Sequence, residues 1–191
     1  MDLLEAVTKR RSVRRYRVQD VPVDLVFRIL DAGRMAPSGG NMQPWEFILV
    51  RDRSRIAGIT DTTFLGFNRE TGPKQSWIAS VPILIVVCTD FKRTVARYGP
   101  LGKRVALMDT SAAIENMLLA ATSLGLASCW VSGFDPERLS ALFGTPAHVE
   151  PVALLPLGYP ADLPPAPNKL DLADLLHYER YGNFGTGGGG T

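Results

Sequence analysis

Cysteine and histidine are scarce in this 191-residue chain, which has only Cys88, Cys129, His148 and His177. Both cysteines lie in apolar surroundings without metal-ligand spacing, so they read as buried thiols of a reducing compartment. Two histidines argue against a zinc site. Charge of one sign is also lacking: 21 Lys and Arg against 19 Asp and Glu leave a formal net charge of +2. Global charge therefore gives no support to nucleic-acid binding, and only a local cluster could do so. The first five residues, Met1 to Glu5, have neither the basic start nor the apolar core of a secretory signal. The longest apolar stretch, 112–126, is interrupted by Glu115 and Asn116 and falls short of the about 20 residues that span a membrane. The expectation is a soluble cytoplasmic protein with no membrane or nucleic-acid partner. A G-x-S-x-G elbow is absent, as is a G-x-G-x-x-G following a strand, so neither a serine-hydrolase site nor a separate dinucleotide domain is expected.

What is present suits one core. An apolar content of 46% in a chain of this length predicts a single globular domain over 1–184, with 185–191 a flexible glycine-rich tail. A helix is predicted over 23–32 from Leu25, Val26, Ile29 and Leu30, with Pro22 and Asp24 at its start and Pro37 beyond its end. Strands are predicted at 47–50, 81–88, 126–131 and 150–157. The segment 109–124 is apolar around most of a helical circumference, which requires enclosure either by its own subunit or by a second one. Residues 61–77 and 91–104 read as loops or short helices, the latter basic, and 163–169 as a proline-stiffened arm. The fold class is α+β, a mixed α/β sandwich with a covered central sheet.

Two segments carry candidate chemistry. Residues 36–47 open with Ala36, Pro37, Ser38, Gly39, Gly40, Asn41, Met42 and Gln43 and run into apolar Phe47. Adjacent glycines let backbone amides approach a flat ligand, while Asn41 and Gln43 offer donors and acceptors to a heteroaromatic edge. An ordinary turn accounts equally for Pro37, Gly39 and Gly40. Residues 9–17 place six cations and Ser12 in one run. Guanidinium forks suit phosphate oxygens, and a solvated basic run or a nucleic-acid contact is the alternative. In an extended phasing Arg10, Ser12 and Arg14 share one face, with Arg11 and Arg15 on the other.

With a third segment, 109–134, which includes Glu115, Asn116, Trp130, Val131, Ser132 and Gly133, these stretches resemble the FMN-dependent nitroreductase family. The resemblance runs from about residue 5 to the Tyr178-Glu179-Arg180-Tyr181-Gly182 ending, in the family's order and spacing. It implies a nitroreductase-like fold in an intertwined homodimer, with FMN at the subunit interface. It further implies that Arg10 and Ser12 bind the phosphate, that Arg11 makes an adjacent polar contact, and that Arg14 sits near the pyrimidine edge of the flavin. Lys169 matches a basic residue of the C-terminal arm that also reaches the phosphate. Pro37, Ser38, Gly39 and Asn41 match a loop that reaches the flavin of the neighbouring subunit, with Gln43 just beyond. Trp130, Val131, Ser132 and Gly133 match the segment that covers one flavin face and presents a backbone amide to it.

The activity this implies is hydride transfer from NAD(P)H, bound transiently, through FMN to a small acceptor such as a nitroaromatic, quinone or enone. No acid–base residue of the protein is then required, since positioning, electrostatics and water exclusion suffice. A dehalogenase or a flavin-consuming oxygenase on the same scaffold is an alternative, and a non-enzymatic basic binding module is a rival of another class. Phe64, Phe67, Trp77 and Tyr98 are candidates to line an acceptor pocket, or else core aromatics.

Overall fold

The computed structural model describes residues 1–66 and 68–184. The expected tail at 185–191, and Phe67, lie outside the described residues. Four strands, β1 (Trp45–Val50), β2 (Ile83–Asp90), β3 (Ala127–Ser128) and β4 (Val149–Gly158), form an antiparallel sheet in the order β1-β2-β4-β3. Helices α1 (Leu3–Lys9), α2 (Val23–Arg34), α3 (Arg53–Thr60), α4 (Phe91–Tyr98), α5 (Leu101–Ser123) and α6 (Pro136–Phe143) connect and cover it.

Strand β2 explains the layering. Ile83, Ile85 and Val87 pack with Val26, Ile29, Ile114 and Met117 of α2 and α5. The alternate residues Leu84, Val86 and Cys88 pack with Ile56, Ile59, Ile78 and Leu139 on the opposite face. A strand covered on both faces has no solvent side, so its sequence is continuously apolar instead of alternating. Each fully buried aliphatic side chain contributes about 1.5–3 kcal/mol, which makes this strand the centre of the core.

Two expectations are refined. The helix predicted over 109–124 begins at Leu101, because the break lies at Gly99 (φ +56°) and Pro100. It buries Ala106, Thr110, Ala113, Ile114, Met117, Leu118 and Ala121, yet leaves Met108 63% exposed. The strand predicted over 126–131 pairs regularly only at Ala127–Ser128, although Val131 and Leu154 exchange two backbone hydrogen bonds of 3.0 and 2.9 Å in the same register. The reason is Pro156, which that register sets opposite Cys129 and which has no N–H to donate. Cys129 and Trp130 therefore leave the ladder between two paired positions.

Candidate functional site

Asp2 caps α1 by accepting from the Glu5 amide at 2.8 Å, and the helix stops at Arg10, whose ψ is 129°. From there the chain is extended: Val13 is buried and donates its amide to the Ser128 carbonyl at 3.1 Å, and Ser12 bridges Ser128 in parallel. Extended geometry sorts the cations onto two faces. On one, Arg11 donates to the carbonyls of Thr8 and Arg10 at 2.7 and 2.8 Å, and Arg15 pairs with Asp162 at 2.8 Å. On the other lie Arg10, Ser12 and Arg14, on the side of Cys129. Burial pushes that thiol above its ordinary value, while Arg14, Ser12 and Arg10 pull it back. Arg10 also faces Glu115 of α5 at 3.7 Å, a long contact.

Beyond Cys129, Trp130 is 38% exposed while Val131 is anchored on β4. Gly133 is held from the side: its carbonyl accepts from the Phe64 amide at 2.9 Å and from Gln75 Nε2 at 3.0 Å, and Gln75 Nε2 also donates to the Phe64 carbonyl at 3.2 Å. A Cβ on Gly133 would stand 2.5 Å from the Phe64 oxygen, so glycine is required by this backbone approach. Trp77 stacks on Tyr16 with ring centroids 6.5 Å apart, and the buried Tyr16 hydroxyl donates to the Val13 carbonyl at 2.7 Å. Burial holds that hydroxyl well above its ordinary pKa. The irregular 61–77 stretch thus docks beside both motifs. Gln75 carries no sequence signal that could have marked it, because a polar residue in an irregular polar segment looks like any other.

The Pro37 to Gln43 loop is anchored elsewhere in the chain, on the α4–α5 corner. Gly39 donates its amide to Asp109 Oδ2 at 3.0 Å, the Gln43 amide donates to Ser38 Oγ at 3.0 Å, and Gln43 Nε2 reaches the Asn41 carbonyl at 3.3 Å. Gly40, Asn41 and Gln43 all have positive φ, at 56°, 57° and 48°. Two non-glycine residues in that region store strain of the kind found at ligand loops. Nothing in the sequence marks Asp109 as the anchor of this loop. Lys169 lies exposed on the arm. Within one chain Arg10, Ser12 and Arg14 thus flank Ser128 and Cys129, while the 37–43 loop is held by α4 and α5.

The protein-family description "Nitroreductase family" matches residues 7–159. The chain belongs to the nitroreductase family. It is 37% identical to a Methanothermobacter thermautotrophicus protein provisionally named an NADH dehydrogenase or NAD(P)H nitroreductase, over 95% of this chain and 88% of that one. It is 27% identical to the FMN reductase [NAD(P)H] of Bacillus subtilis, over 95% of this chain and 75% of the relative. With the 5,6-dimethylbenzimidazole synthase of Rhodospirillum rubrum it shares 31% identity over 83% and 82% of the two chains. A crystal structure of a nitroreductase family protein from Clostridium difficile 630 superposes with a TM-score of 0.79 at 31% identity, covering 94% of this chain and 99% of that one. The expected mixed helix and sheet architecture of the nitroreductase fold is thus the one observed, and the chain is a nitroreductase-family oxidoreductase. Among the described residues no helix is long and apolar enough to cross a membrane.

Proposed function

We propose that this protein is an FMN-dependent NAD(P)H oxidoreductase that works as a homodimer on a small organic acceptor. The observation that carries the reading is the extended segment bridged to Ser128, which sets Arg10, Ser12 and Arg14 on one face beside Cys129. Two guanidinium groups and a hydroxyl on one face form a donor set suited to a phosphate, and they fit FMN by that chemistry. The remaining cations of the run have close intrachain partners, Lys9 with Glu5 at 2.6 Å, Arg11 with two carbonyls, Arg15 with Asp162, and Arg17 Nε with the Pro160 carbonyl at 2.9 Å, whereas Arg10 has only its long contact to Glu115 at 3.7 Å and Arg14 forms no ion pair among the described residues. That leaves a compact clamp in place of the long cationic stripe a nucleic acid needs.

Arg10 and Ser12 would hold the phosphate, joined by Lys169, while Arg11, which the resemblance makes an adjacent polar contact, is turned to the carbonyls of Thr8 and Arg10. Arg14 would set a fixed positive charge beside the ring system, favouring negative charge there. Trp130, Val131, Ser132 and Gly133 would flank one face, and Pro37, Ser38, Gly39, Asn41 and Gln43 would come from the second subunit. FMN held there would supply hydride exchange between a nicotinamide and the acceptor. The protein's part is to bind, orient and exclude water, so no general acid or base is needed. A partner is supported by the apolar surface one chain leaves open: Leu3, Leu4 and Val7 on α1, Phe27 on α2, Met108 on α5, and Leu170, Leu172 and Leu175 on the arm are all exposed. The free edge of β1 lies beside an open cavity of about 750 Å³, lined by Phe27, Trp45 and Phe47 among others. That edge suits an intertwined assembly.

Absorption spectroscopy tests the assignment. The purified protein, reconstituted with FMN, is expected to be yellow and to bleach on anaerobic addition of NADH or NADPH. Arg10→Ala and Arg14→Ala are expected to weaken flavin retention or slow its reduction. Protein that stays colourless after incubation with excess FMN refutes the reading.

A further inference from the structure

The basic stretch 91–104 takes no part in the clamp above. It holds Lys92, Arg93, Arg97, Lys103 and Arg104 without one acidic residue. Its placement gives it a use. A Cβ on Gly40 would stand 2.7 Å from Arg97 Nε and 2.8 Å from the Tyr98 hydroxyl, and one on Gly39 would stand 2.9 Å from Val105 Cγ1. With the Gly39 amide tied to Asp109, the 37–43 loop and the α4–α5 corner form one packed unit. Wherever the loop tip goes, the Arg97 guanidinium goes with it.

We propose that Arg97 is a specificity-determining residue that binds an anionic group, carboxylate or phosphate, of the substrate at the flavin site. This rests on the reading that residues 37–43 reach the FMN held by a second copy. Three features support it. Arg97 is exposed, and among the described residues it forms no ion pair, whereas Arg93 pairs with Glu46 at 3.4 Å. Its guanidinium carbon lies 5.6 Å from the Tyr98 ring centroid, so the flat cation is oriented by the phenol while its N–H edge stays available. Gly40 admits it to the loop tip, since a Cβ there would stand 2.7 Å from Arg97 Nε and 2.9 Å from its Cζ. An uncharged acceptor would leave this guanidinium without a counterpart, and a carboxylate or phosphate would engage it in two-pronged fashion.

The test uses FMN-loaded protein and two matched substrate pairs: NADPH against NADH, which differ by one phosphate, and 4-nitrobenzoate against nitrobenzene, which differ by one carboxylate. Arg97→Gln is expected to lower kcat/KM for the member of one pair that carries the additional phosphate or carboxylate by about tenfold, the scale of a lost charge-assisted hydrogen bond. The member lacking that group should be little affected, FMN occupancy unchanged, and Arg97→Lys should recover part of the loss. The pair that responds identifies the source of the anion. Equal loss for both members, or no loss in either pair, overturns the proposal. Loss of FMN from Arg97→Gln also overturns it, by moving the residue into the cofactor clamp. A colourless or unbleached wild type is a different failure, read before any variant is made, and it removes the parent reading.

Discussion

At the scale of the residue, Gly133 and the two thiols show how packing decides chemistry. Gly133→Ala would bring a methyl against the Phe64 carbonyl, and backbone cannot yield as a flexible side chain can. The expected result is a loss of about 1–3 kcal/mol of stability, measured as a lower Tm, with displacement of the 63–75 segment that Gln75 ties down. An unchanged Tm would show that the segment moves freely. The thiols are expected to be inert. Cys88 is pushed up to about 12, by burial first and by Glu46 second, and only a thiolate attacks. Because its titration lies far above neutrality, the thiol form prevails at pH 7. Native protein should therefore leave both cysteines unmodified by an aromatic disulfide reagent until denaturant is added, and rapid labelling of the native state would contradict their burial.

Helix ends and strand ends carry the argument at the scale of the element. Asp135 caps α6 by accepting from the Arg138 amide at 2.9 Å, with Pro136 in the first turn. That hydrogen bond is the main reason its carboxyl is held below the ordinary value of 3.8. A depressed folded-state pKa gives stability that is present above the unfolded value and is lost as pH falls through the lower folded one. Asp135→Ala is thus expected to cost about 1 kcal/mol at neutral pH, and Asp135→Asn to keep most of the cap while removing its acid sensitivity, both read from denaturation curves at pH 7 and pH 3. The same local chemistry explains what the sequence disclosed. Helix α2 was legible because its apolar spacing and its proline boundaries agree, and β2 because a doubly covered strand is apolar throughout. The true start of α5 was obscured, since Gly99 and Pro100 look like loop punctuation on either side of which a helix can begin. The gap after β3 was hidden because it is caused by Pro156, a residue in another strand. Within the candidate site, the two-faced sorting of the arginines follows from an extended phasing that the sequence leaves undecided against a helical one, and the roles of Gln75 and Asp109 depend on contacts distant in sequence.

For the whole molecule, the exposed apolar residues set the expectation. Phe27 is 59% exposed and Met108 63% exposed, on helices that pack against each other through their other faces. A stable second copy would cover them. Wild-type protein is therefore expected to sediment as a dimer, and Met108→Asp to shift it toward monomer with loss of retained FMN. A wild type that is monomeric at micromolar concentration, with FMN bound, would sink the two-subunit site.

Strand β2 has one more consequence, which concerns synthesis. Its neighbours are β1, made before it, and β4, which is not completed until residue 158. A chain emerging from the ribosome therefore carries a run of isoleucine, leucine and valine at 83–87 whose β4 edge stays open through the whole translation of α4, α5 and α6. Pairings so far apart in sequence close slowly, and an unpaired apolar strand is a template for self-association. Production of this protein should consequently be governed less by how stable the finished sheet is than by how well the unfinished one is kept from others of its kind.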